Sequence, residues 1–183
     1  MRNGILVLAA LVAACFVSAP SYSQAQPDAQ KEKPKPDATK PSPGHDAHSA
    51  MNERGESAKG MGFSQNSTVH HFLLKPDGGA IQVEVKNSSD TANRDIIRAH
   101  LAHVAREFSQ GHFALPMFVH DSIPPGTTTM KRLRKKIVYV YEEISAGARV
   151  VIKTADPAAL AAIHDYLRYQ IREHETGDPE TIN

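Results

Sequence analysis

The chain has 183 residues, enough for one domain of ordinary size and its tails. With 21 Lys and Arg against 20 Asp and Glu, no Trp and 6% aromatic residues, its composition excludes both a general electrostatic pull toward nucleic acid or anionic membranes and a stacking platform for bases or sugars. The only cysteine, Cys15, excludes an intrachain disulfide and a thiolate metal site.

Met1-Arg2-Asn3 followed by the apolar run Ile5 to Val17 reads as an export signal, because the run is too short for a comfortable membrane span. Ser23-Gln24-Ala25 supplies small residues for signal peptidase, so residues 1–25 are expected to be removed and the protein to reach a Gram-negative periplasm. The alternative is a lipoprotein signal ending at residue 14. Val12-Ala13-Ala14-Cys15 resembles a lipobox, and a lipid on Cys15 would be the one attachment to a membrane. Residues 26–60 carry Pro27, Pro34, Pro36, Pro41 and Pro43 among Lys, Asp, Ser and Gly, which predicts a disordered tether.

The folded part is expected over 61–183. Val69 to Leu74 and Ala80 to Lys86, joined by Pro76-Asp77-Gly78-Gly79, predict a hairpin with Ile81, Val83 and Val85 on one face. Turn and cap residues Asn87 to Asp90 then open a helix that stops at Gly111. Residues 112–136 read as an irregular insertion with a short amphipathic helix on Met130, Leu133 and Ile137. Val138 to Glu143 and Arg149 to Thr154 form a second hairpin, after which Asp156-Pro157 opens the last helix and Gly177 closes it.

The two helical stretches align at a constant offset of 66, matching Asp90/Asp156, Ile97/Ile163, Leu101/Leu167, Arg106/Arg172 and Gly111/Gly177. Two β-β-α repeats, 66–111 and 137–177, predict an α+β fold: a four-stranded antiparallel sheet with both helices on one face, a two-layer sandwich.

Ten histidines are the unusual feature. Neutral imidazole is the commonest metal ligand, and without a mature cysteine it is the ligand left for copper, zinc or nickel. At about 100° per residue, with Ile97 at zero, His100, Glu107 and His103 fall near −60°, −80° and −120°, a lateral stripe beside the buried face. Two imidazoles and a carboxylate on successive turns can hold a metal if a further donor comes from elsewhere. His70, His71 and His120 are the candidate donors. His70 and His71 are strand neighbours, so only one can face the helices. His120-Asp121 lies in a loop, where the acid could orient the ring as ligand or base, or simply accept backbone N–H groups. His164 corresponds to Arg98 on the opposite helix edge and is excluded from a site with His100; His174, equivalent to Phe108, reads as a capping or satisfied core histidine. No G-x-S-x-G elbow and no Gly-rich phosphate loop is present.

From Gly60 on, GMGFSQNSTVHHFLLKPDGGAIQVEV, RDIIRAHLAHVAREF, PMFVHD and PPG resemble a family of small exported bacterial proteins of uncharacterised function, some labelled aspartate carbamoyltransferase. The resemblance implies the domain boundary and export. It does not carry the label over, because the chain has no Ser-Thr-Arg-Thr loop for carbamoyl phosphate. The expected function is a non-enzymatic periplasmic binding protein that handles copper or zinc. The alternatives are a metal-free interaction module with a periplasmic protein partner, and a small hydrolase or transferase using His120 and Asp121.

Overall fold

The structure, a computed structural model, describes residues 43–182, with side chains from residue 48. The signal, the Cys15 lipobox and the first part of the expected tether lie outside the described residues. In chain order the elements are α1 (Pro43–Glu56), β1 (Thr68–Lys75), β2 (Gly78–Val85), α2 (Thr91–Gln110), α3 (Ala114–His120), α4 (Thr127–Arg132), β3 (Ile137–Ile144), β4 (Gly147–Thr154) and α5 (Pro157–Glu173).

The fold is α+β. The four strands form an antiparallel sheet of order β1-β2-β4-β3, so each hairpin contributes its second strand to the centre. Alternation along β2 and β4 sends Ile81, Val83, Val150 and Ile152 to one face, where they join Ile97, Leu101, Ile163 and Leu167 of α2 and α5 in the core. α2 packs on β3 and β4, and α5 packs on β1 and β2, so each helix covers the hairpin it does not follow. One contact recurs on both sides. Arg98 donates to the carbonyls of Ile144 (2.9 Å) and Gly147 (3.2 Å), while His164 Nε2 lies at 2.9 and 3.0 Å from the carbonyls of Lys75 and Gly78.

The helix starts follow from their caps. The Asp90 carboxylate accepts from Asn93 N–H at 3.1 Å, and Asp156 accepts from Ala158 and Ala159 N–H, both at 3.0 Å. α2 ends on Gly111 at φ 81°, as its glycine predicts. α5 does not run to Gly177. It closes at Glu173, with Glu175 at φ 48° and Thr176 N–H returning to the Ile171 carbonyl at 3.2 Å, a Schellman turn without its glycine. The early stop leads the tail along β1, where Asp178 accepts from Phe72 N–H at 2.9 Å and meets His71 Nδ1 at 2.9 Å.

Two further expectations need correction. The tether was expected to run to residue 60, yet 43–56 is helical: Met51 is 4% exposed, Arg54 donates to the Val119 carbonyl at 2.9 Å, and α1 packs on α3. The insertion holds two short helices, and Ile137, placed on a helix by its spacing, instead opens β3. Gly126 makes α4 fit, since it sits at φ 80° and a Cβ there would lie 2.0 Å from the Ala162 carbonyl oxygen of α5. Among the described residues no helix is long and apolar enough to cross a membrane.

Candidate functional site

The α2 stripe divides. His100 turns inward, its ring edge-on to Phe63 at 5.6 Å. His103 is exposed and its Nδ1 accepts from Arg106 at 2.7 Å; Glu107 meets His112 at 3.2 Å. A rotation of about 60° separates His100 from His103, and the edge of the cover lies between them. Among the described residues, no three His, Asp or Glu side chains stand ready as a metal-binding group.

The other donors also separate. His70 faces the helices with Phe72, and His71 points to the opposite face, bonded to Asp178. His120 ends α3 and lies inside, with Nε2 hydrogen-bonded to Gln170 Oε1 at 3.0 Å. Asp121 caps α3 at φ 51° and stays exposed, so the acid that orients His120 in the hydrolase reading is replaced by an amide. In α1, Met51 is buried and His48 faces Glu175 at 3.5 Å.

A different set of histidines converges. His70 stacks on His174 with ring centroids 5.6 Å apart and planes 13° from parallel; His174 stands edge-on to His120 at 5.2 Å and tilted against Phe72 at 5.4 Å. Phe63 links His70 (5.9 Å) to His100. His70, Phe72, His100, His120 and His174 line one cavity of about 70 Å³ bounded by β1, β2, α2, α3 and α5, otherwise walled, apart from Gln170, mainly by apolar side chains such as Met61, Leu101 and Val119. That is about half the size of a cavity that accepts benzene, which suits an ion or a ligand of a few atoms. On its outer side His120 borders a surface hollow with His48, Arg54 and Glu173.

The cavity holds its imidazoles neutral. Burial, reinforced by neighbouring His71 and Lys86, pushes His70 down to about 4, and burial beside His103 and His70 does the same for His100. Burial, with His70 and His120 adjacent, lowers His174 to about 3. Burial also lowers His120, against the opposing bond to Gln170.

His70 Nε2, His120 Nδ1, His174 Nδ1 and Gln170 Nε2 are buried without a hydrogen-bond partner. Each such group costs about 1–3 kcal/mol. At His120, Nε2–H donating to Gln170 leaves the lone pair on Nδ1, the arrangement of a metal-ligating imidazole whose far nitrogen is held by a carbonyl. Metal bonds of about 2.0–2.1 Å to two imidazole nitrogens put their centroids roughly 5 Å apart, close to the spacings seen. The nearly parallel His70 and His174 rings would have to turn to share one ion.

Sequence reasoning missed His174 and Gln170. The signal for His174 was a histidine at the place where the first helix has Phe108. Gln170 carried none, because its partner lies 50 positions away. Compared with protein-family models, with curated proteins and with solved structures, the chain finds no match.

Proposed function

We propose that the protein is an exported, periplasmic binding protein whose ligand is a transition-metal ion, copper or zinc, held in the imidazole cavity rather than on the α2 edge. One observation carries this reading: three histidines from three parts of the chain leave buried ring nitrogens unpartnered in a single cavity. Lowered pKa values keep the lone pairs free at neutral pH. His70, His120 and His174 act as ligands, Gln170 orients His120, and the Met61 thioether at the wall favours copper. His71, His103 and Glu107 have no part in it.

Calorimetric titration with Zn(II) and Cu(II) tests this. His70→Phe/His174→Phe should abolish stoichiometric binding, and His103→Ala/Glu107→Ala should retain it. The reverse pattern would return the site to the helix edge. Weak, equal binding by all three proteins would end the metal reading.

A second reading, the interaction module, is favoured by a separate observation. Met117, Phe118 and Ile123 are 40%, 39% and 65% exposed on the 112–136 insertion, an apolar patch of the kind that marks contact surfaces.

A further inference from the structure

Met117 and Phe118 project from α3 and Ile123 from the loop after it, around an open groove that Phe113, Thr128 and Lys131 complete. The ground beside it is basic. Lys131, Arg132, Arg134 and Lys135 are all exposed, and among the described residues none of them has a carboxylate within 4.0 Å, whereas Lys136 is held by Asp156 at 2.6 Å. Gly111 lets the cationic stems gather at the rim, since a Cβ there would lie 2.9 Å from Arg134 Cδ and 3.3 Å from Lys131 Cγ. Of the acids nearby, Glu107 is bonded to His112 at 3.2 Å, and Asp121 sits at the end of α3. The balanced charge of the whole chain therefore conceals a local excess of cations beside exposed apolar tips.

We propose that this face adsorbs to an anionic phospholipid bilayer, with Met117, Phe118 and Ile123 entering the headgroup boundary and Lys131 and Arg134 meeting lipid phosphates. The inference deepens the interaction-module reading by naming its partner, and it is independent of what occupies the imidazole cavity. Apolar side chains that enter the interface, flanked by basic ones that reach anionic headgroups, are what hold proteins in the plane of a membrane surface. A soluble acidic protein would satisfy the cations alone and would need its own apolar side chains to cover Phe118 and Ile123. A bilayer offers both layers at once, and the groove is open enough to meet a flat surface.

The test is flotation of the full chain with vesicles of phosphatidylcholine alone and of phosphatidylcholine mixed with phosphatidylglycerol. Residues 1–42 are common to every variant, so only differences between vesicles and between variants are read. The parent should bind the anionic vesicles more tightly, and added salt should weaken that preference. Each basic residue near such a surface contributes roughly fivefold, so Lys131→Glu/Arg134→Glu should weaken binding by about 25-fold or more. Phe118→Ser/Ile123→Ser should also weaken it. All four positions are exposed, so unchanged thermal melts will separate loss of binding from loss of fold. Equal binding to both vesicle types, or variants that bind anionic vesicles like the parent, would overturn the proposal. If the patch variants lose a protein partner instead, the interaction surface stands and the lipid assignment falls.

Discussion

The two ends of the sheet solve the same packing problem with different rings. Five residues before each hairpin turn, an inward side chain meets the end of the helix covering that hairpin. In the second hairpin it is Tyr139 against Phe108, centroids 6.0 Å apart, with Phe108 also on Phe113 at 4.5 Å. In the first hairpin it is His70 against His174 at 5.6 Å. The comparison teaches that the fold asks only for a ring at these places. Among the described residues the Tyr139 hydroxyl is the one buried unpartnered atom at its end, whereas the imidazoles and Gln170 supply four, with Gln65 Nε2 just before β1 a fifth. Polar atoms that packing does not require are what the proposed site rests on.

The sharpest way to break the comparison is truncation against replacement. Phe108→Ala, at a position 2% exposed, should cost about 3–5 kcal/mol in denaturant unfolding. His174→Phe should stay within about 1 kcal/mol of the parent or exceed it, because it keeps the ring and removes an unpartnered nitrogen. A loss at His174→Phe as large as at Phe108→Ala would mean that the imidazoles are structural.

Acid provides the next effect. Above about pH 6.5, the ordinary imidazole value, these histidines are neutral whether the chain is folded or not. Below it the unfolded chain takes up protons that folded His70 and His100 accept only near 4 and His174 only near 3, so stability falls as pH drops through that window. A loss on the order of 3 kcal/mol for each of these histidines between pH 7 and pH 4 is expected from urea midpoints, and His70→Phe/His174→Phe should flatten the slope. An unchanged slope in that variant would place the titrating groups elsewhere.

The smallest effect concerns the tail that closes the imidazole end. Asp178→Ala removes the acceptor of Phe72 N–H and the partner of His71, and should cost about 1–2 kcal/mol with faster hydrogen exchange at the Phe72 amide. Exchange that stays at the parent rate would show that the tail does not seal the edge of β1.

Much of the fold was legible because local rules and tertiary packing agree there. β2 alternates, Asp90 and Asp156 cap their helices, and Gly111 stops the first one, each as residue chemistry alone predicts. Local rules mislead where a distant contact outweighs them. Glu175 takes the left-handed position that Gly177 was expected to fill, because stopping there brings Asp178 to β1. The α2 stripe was correct in angle and wrong as a unit, since whether −60° or −120° is buried depends on what α3 and Phe63 cover. His120 pairs with Gln170 and not with the adjacent Asp121, and a core histidine such as His174 is usually satisfied, so its unpartnered nitrogen has no signal in the sequence.

The most direct test is heteronuclear NMR of the imidazole side chains at neutral pH during addition of Zn(II) or Cu(I). The ring nitrogens of His70, His120 and His174 should begin as neutral tautomers, with His120 protonated on Nε2, and should shift together at one equivalent of metal. Shifts confined to His48, His103 and His112, with the buried rings unmoved, would contradict the assignment of the site to the cavity.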